Sequence, residues 1–153
     1  MGEKRKGFSL FELLVVLLII GTLLALVIPN VVGMVQRSKV NSAKAEIASI
    51  GNKVENFLLD NMRLPESLLE LEGIHLNDPW GRAYQYLPIL GKDKNDVSGR
   101  WRKDRFLVPL NSDFDLYSVG KDGRSVAPIT AKDSYDDIIR ANNGDYIGIA
   151  YKY

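Results

Sequence analysis

The chain contains no cysteine and a single histidine, His75. The first absence excludes disulfides, thiolate metal sites, cysteine nucleophiles and covalently attached c-type haem. The second excludes a metal site built from several histidines of one chain. There is no surplus of charge either: 20 Lys and Arg stand against 19 Asp and Glu, a net charge of +1. Nucleic-acid binders need a basic surplus to neutralise phosphates, so that class is set aside. No G-x-x-x-x-G-K-[ST] phosphate loop occurs, which argues against an ATPase of that type. No G-x-S-x-G nucleophile elbow occurs, nor any internal repeat or low-complexity tract. At 153 residues the chain has room for one membrane helix and one small globular domain.

What is present is concentrated at the start. Residues 13–35 carry no charged side chain and are rich in Leu, Val and Ile. About 20 apolar residues span a bilayer core as a helix, with every backbone group satisfied internally. Pro29 removes one helical hydrogen bond and is expected to kink or loosen the helix there. The run follows a basic stretch, Lys4-Arg5-Lys6, but is too long for the apolar part of an ordinary secretory signal, and no small-x-small cleavage site closes it. Glu12 stands at the start of this apolar segment. A carboxylate there either favours the helix N-terminus from the interface or has a partner inside the apolar layer.

Beyond the span, Val40, Ala43, Ile47, Ile50, Val54 and Phe57 recur at spacings of three and four, one apolar stripe on a continuing helix. One helix from about Ser9 to about Asp60 is expected, with Gly51 tolerated inside it at a cost near 1 kcal/mol. Pro65 closes that region. A short helix is then expected over 65–71, a turn at Asp78-Pro79-Trp80-Gly81, strands over 83–86, 114–119 and 147–151, and a turn at Gly120-Lys121-Asp122-Gly123.

The segment Lys6-Gly7-Phe8-Ser9-Leu10-Phe11-Glu12 resembles the leader of type IV prepilins and type II secretion pseudopilins. The resemblance implies cleavage after Gly7 by a prepilin peptidase and methylation of Phe8. Glu12 is the fifth residue after Gly7 and Pro29 the twenty-second, both positions the family favours. It further implies that the Glu12 carboxylate pairs with the Phe8 ammonium of a neighbouring subunit, so that Phe8, Glu12 and Pro29 serve assembly. Two later segments, Asp78-Pro79-Trp80-Gly81-Arg82-Ala83-Tyr84-Gln85-Tyr86 and Asp115-Leu116-Tyr117-Ser118-Val119-Gly120-Lys121-Asp122-Gly123, are similar to segments of the major pseudopilins of type II secretion. Residues 87–113 are longer than the matching stretch of typical members, and the C-terminal segment ends differently.

The family resemblance implies an α+β, type IV pilin-like fold: a long N-terminal helix packed on a small antiparallel sheet. Its expected organisation is a cleavable leader over 1–7, a hydrophobic membrane and polymerisation helix over 8–36, an amphipathic helix over 37–60 and a globular domain over 61–153. The implied role is structural, not enzymatic: a subunit of a type II secretion pseudopilus, held first in the inner membrane with its globular domain in the periplasm. Implied partners are its own copies in a filament, the prepilin peptidase, minor pseudopilins and the inner-membrane assembly platform, with no nucleic acid. A type IV pilus subunit and a membrane-tethered binding domain remain as alternatives.

Two loop regions carry further expectations. Asp122, Asp133, Asp136 and Asp137 form an acidic group in a loop where major pseudopilins hold calcium, so the resemblance implies a structural calcium ion there. The residues taken alone also fit a solvated acidic loop, with Asp136 and Asp137 at the start of a short helix. Lys92, Lys94, Arg100, Arg102, Lys103 and Arg105 crowd one loop around Trp101, and read as a solvated charged loop or a patch for an acidic partner.

Overall fold

The computed structural model describes residues 7–97 and 99–153. The basic leader Lys4-Arg5-Lys6 lies outside the described residues. The chain divides into two compact units, Met1–Ser38 and Lys39–Tyr153. A single helix, α1 (Leu10–Asn61), runs through the boundary and includes position 29 without interruption.

In the first unit every large apolar side chain described from Leu10 to Val35 is exposed. The helix is apolar enough and long enough to cross a membrane. Its one hydroxyl in this stretch, Thr22 Oγ1, donates to the Ile19 carbonyl at 2.8 Å, so it adds no unsatisfied group to an apolar surface.

The second unit is a four-stranded antiparallel meander: β1 (Gln85–Pro88), β2 (Phe114–Ser118), β3 (Ile138–Ala141) and β4 (Tyr146–Ile149), adjacent in that order. The strand period of two assigns its faces. Phe114, Leu116 and Ile138 join Ala43, Ile47, Ile50 and Val54 of α1 in the main core. Ile139 and Ala141 point the other way and pack with Leu110, Ile129 and Ala150. Tyrosine hydroxyls fasten the first face: Tyr84 donates to Glu46 Oε2 at 2.7 Å and Tyr86 to the Pro65 carbonyl at 3.0 Å. Burial pushes both phenols up, which keeps them protonated as donors.

The differences from expectation have physical causes. Phe57 does not continue the buried stripe; Leu58 packs on the core instead, and the Arg63 guanidinium lies 5.0 Å from the Phe57 ring centroid. The helix ends at Asn61 because Met62 adopts a left-handed φ of 55°. Residues 65–71 hold only a single 3-10 turn, Leu68–Glu70. β1 begins two residues later than expected, since Ala83 instead bridges Asn77. β3 was not foreseen. All four of its residues are buried, so it lacks the polar-apolar alternation that marks a strand exposed on one face.

Arg140 on β3 explains how a cation can occupy the helix-facing side. It is 2% exposed and forks onto Asp113, Nη1 to Oδ1 at 2.9 Å and Nη2 to Oδ2 at 2.7 Å. Nη2 also reaches Glu55 Oε1 of α1 at 3.1 Å, and the guanidinium lies 4.0 Å from the Phe114 ring centroid. A planar guanidinium can serve two carboxylates and a ring face together, which an ammonium cannot.

A Cβ added at Gly51 would meet the Arg140 side chain at 3.7 Å, an ordinary contact. Gly51→Ala is therefore expected to raise stability by about 0.5–1 kcal/mol, by reducing the entropy of the unfolded helix segment. Urea unfolding of the two chains in the same detergent checks it; a destabilised variant would show that Arg140 cannot tolerate the contact.

Candidate functional site

The N-terminal segment is ordered by a reciprocal cap. The Ser9 N–H donates to Glu12 Oε2 at 2.8 Å, and the Glu12 N–H donates to Ser9 Oγ at 3.2 Å. This is a capping box, in which a serine and a glutamate three residues on satisfy two of the orphan donors of a helix start. The Ser9-x-x-Glu12 spacing is visible in the sequence. Phe8 is 80% exposed, and Gly7 has open space where a Cβ would sit. The peptide between them is thus sterically accessible.

In the second unit the two motif-bearing segments meet. Asp78 is buried, and its Oδ1 accepts the N–H groups of Trp80 at 3.0 Å and Arg82 at 2.9 Å, closing the turn in which Gly81 takes a φ of 87°. Its Oδ2 accepts the Ser118 hydroxyl at 2.5 Å, at the end of β2. Arg82 then donates to the carbonyls of Gly120 and Lys121 at 2.9 and 3.2 Å. The glycines of the second segment are fixed by close approach. A Cβ at Gly120 (φ 66°) would collide with the Asp136 carbonyl, and one at Gly123 (φ 73°) with the Arg82 guanidinium. The separate motifs of the sequence are one interlocked turn pair.

The four loop aspartates are placed as follows. The Asp122 N–H donates to Asp136 Oδ2 at 3.0 Å, so those two are brought together. Asp122 Oδ1 accepts the Arg124 N–H at 2.8 Å. Asp133 is exposed on a one-turn 3-10 helix, Lys132–Ser134. Asp137 is fully buried and separate in function: its Oδ2 accepts from Arg102 Nη2 and from the Ser125 hydroxyl. Among the described residues no three His, Cys, Asp or Glu side chains gather into a metal-holding group. Calcium takes about six to eight oxygens, and this donor set as arranged does not fit it.

Arg102 is the residue that sequence reasoning misplaced. It stands in the basic loop expected to be solvated, yet it is 3% exposed. Its N–H donates to Asp115 Oδ2 at 2.5 Å and its carbonyl accepts the Leu110 N–H at 2.8 Å. Burial pushes the Asp115 carboxyl up to about 6, against the lowering effect of the Arg102 N–H and the Asn111 amide. Asp137 is likewise pushed up to about 6 by burial, opposed by Ser125 and Arg102. The rest of the basic loop holds a short helix, α2 (Lys94–Val97), and Trp101 packs beside Val97.

Removing the Asp78 carboxylate would strand two backbone donors and a buried hydroxyl. Asp78→Ala is expected to lower the unfolding free energy by about 3 kcal/mol, read from urea titration of the full chain. A loss below about 1 kcal/mol would mean that water replaces these bonds freely.

The family described as "Prokaryotic N-terminal methylation motif" matches residues 3–28. The chain is 34% identical to the type II secretion system core protein G of Xanthomonas campestris pv. campestris, over 78% of this chain and 81% of that one. It is 32% identical to the protein of the same name from Escherichia coli, over 79% and 85%, and 31% identical to that from Pseudomonas aeruginosa, over 80% and 87%. No solved structure matches the chain. A methylation motif, a capped apolar helix and the paired turns thus occur in a chain that belongs to the type II secretion core protein G family.

Proposed function

We propose that this chain is a structural subunit of a type II secretion pseudopilus. It is made as a membrane-anchored precursor, cut after Gly7 by a prepilin peptidase and methylated on Phe8. Copies then leave the bilayer and pack their apolar helices in the centre of a periplasmic filament that promotes export. The observation that carries this reading is the uncovered apolar surface of residues 10–35, on a helix that begins with a methylation motif. Lipid covers that surface in the precursor and neighbouring helices cover it in the filament. Contacts of the head-to-tail kind, which do not close into a ring, produce such an open helical assembly.

The orientation proposed has the leader in the cytoplasm and residues 39–153 in the periplasm. Family membership supports it better than local charge does, because Arg37, Lys39 and Lys44 lie on the far side of the span from Lys4, Arg5 and Lys6. Minor pseudopilins and the inner-membrane platform are the further partners proposed. No step of chemistry is assigned to the chain itself; its part is to polymerise.

Glu12 sets the register. In the single chain its carboxylate has the Ser9 N–H as partner. In the filament it exchanges this for, or shares it with, the methylated Phe8 ammonium of a neighbour. Opposite charges attract strongly in a low dielectric, and either left alone there is costly, so one axial offset between helices is favoured. Pro29 is proposed to loosen the helix so that neighbouring copies can pack closely.

Glu12→Gln separates capping from charge, since glutamine can complete a capping box. Cells carrying Glu12→Gln or Glu12→Ala are expected to process the leader normally while filament yield and export fall by about tenfold or more. Normal filaments from Glu12→Gln would show that the cap, and not the charge, is what Glu12 supplies.

A further inference from the structure

The long loop between β2 and β3 turns back over the sheet and has to be tied down. It contains two exposed aspartates, Asp122 and Asp133, and its backbone makes few ladder bonds. Its middle is tied from outside by a backbone bridge, in which the Lys103 N–H donates to the Ala127 carbonyl and the Ile129 N–H to the Lys103 carbonyl, and by the side chain of the preceding residue. Arg102 Nη1 donates to the Ser125 hydroxyl at 2.6 Å and to the Val126 carbonyl at 2.5 Å, while Nη2 donates to Asp137 Oδ2. The Ser125 hydroxyl completes the ring by donating to the same carboxylate oxygen at 2.6 Å. The Ser134 hydroxyl both accepts the Val126 N–H and donates to its carbonyl. The guanidinium carbon lies 4.3 Å from the Tyr117 ring centroid, which closes the cage from the sheet side.

A carboxylate, a hydroxyl and a backbone carbonyl converging from one loop on a buried positive charge is the coordination logic of a bound cation. Here the positive charge is covalently part of the chain. We propose that the Arg102 guanidinium does in this domain what a divalent ion does in loops of this composition, so that the fold holds the 119–137 segment without calcium.

Charge balance supports this. Two buried carboxylates lie against Arg102: Asp137 pairs with its guanidinium and Asp115 accepts its backbone N–H. A divalent ion added beside the guanidinium would leave the buried site with excess positive charge and no further buried carboxylate to offset it. Geometry supports it as well. The loop oxygens named above are already engaged by N–H and O–H donors, and among the buried side-chain atoms of the described residues only Asp137 Oδ1 and Arg102 Nε lack a protein partner. One free buried carboxylate oxygen falls far short of the about six to eight that calcium takes. The arginine is not a mobile surface group that has wandered in, since its own backbone is bonded at both N–H and carbonyl to Asp115 and Leu110. This inference goes beyond the assembly role and does not rest on which filament the chain enters.

The test uses the full chain purified in detergent. Its thermal unfolding midpoint, and its cleavage by trypsin at the exposed Lys121, Arg124 and Lys132, are measured in chelator and in millimolar calcium. Both are expected to be the same in the two conditions. A midpoint raised by calcium, or cleavage slowed by it, overturns the proposal. Arg102→Gln keeps two donors but no charge, and is expected to speed tryptic cleavage of this loop by about tenfold or more. A folded Arg102→Gln chain cleaved at the native rate would also overturn it. If that variant does not fold, the calcium response of the native chain decides the matter alone.

Discussion

The apolar side chains of residues 10–35 have to be covered by something other than this chain. Burying one large apolar side chain is worth roughly 1.5–3 kcal/mol, so a helix face of Leu, Val and Ile in water would cost more than the rest of the domain could offset. A bilayer meets that demand for a single copy, and a bundle of identical helices meets it for many. The same surface therefore serves storage and assembly, and moving between the two exchanges one apolar environment for another. Specificity then has to come from polar groups. In this segment the described ones are few: Ser9 and Glu12 at the helix start, Thr22 turned onto its own backbone, and Asn30.

The second unit solves a different problem. Its sheet is only four short strands, and a meander of that size gains little from ladder bonds alone. It is held by an apolar stripe of α1 on one face and by buried charges that cross between elements. Arg140 joins β3 to α1 and to the residue before β2. Asp78 joins the first turn to the end of β2, and Arg82 joins it to the second turn. Arg102 does the same on the opposite face. Breaking a buried ion pair by removing one partner typically costs about 3–5 kcal/mol, so the Arg102–Asp137 and Arg140–Asp113 pairs are each a large share of the net stability of a domain this small.

The sequence showed most clearly what is local and periodic. The stripe Ala43, Ile47, Ile50 and Val54 follows helical spacing and is buried as that spacing requires. The glycines of the two turn motifs sit where a positive φ is needed. Arg102 and Asp137 are 35 residues apart, and no periodicity connects them. In isolation Arg102 is one more basic residue in a charged loop, and Asp137 one more acid in an acidic one. β3 was hidden for a related reason: a strand buried on both faces with an arginine in it matches neither the alternating nor the all-apolar pattern. The capping box is legible as Ser9-x-x-Glu12, a local spacing of three at the start of an apolar run.

The central claim is that the apolar helix is released from a precursor to polymerise, and the mass of the chain isolated from cells tests it most directly. Tandem mass spectrometry of the N-terminal peptide should find a chain beginning at Phe8, with one added methyl group on its amine. A chain still beginning at Met1 and unmethylated, recovered from cells with an active secretion system, would contradict the account.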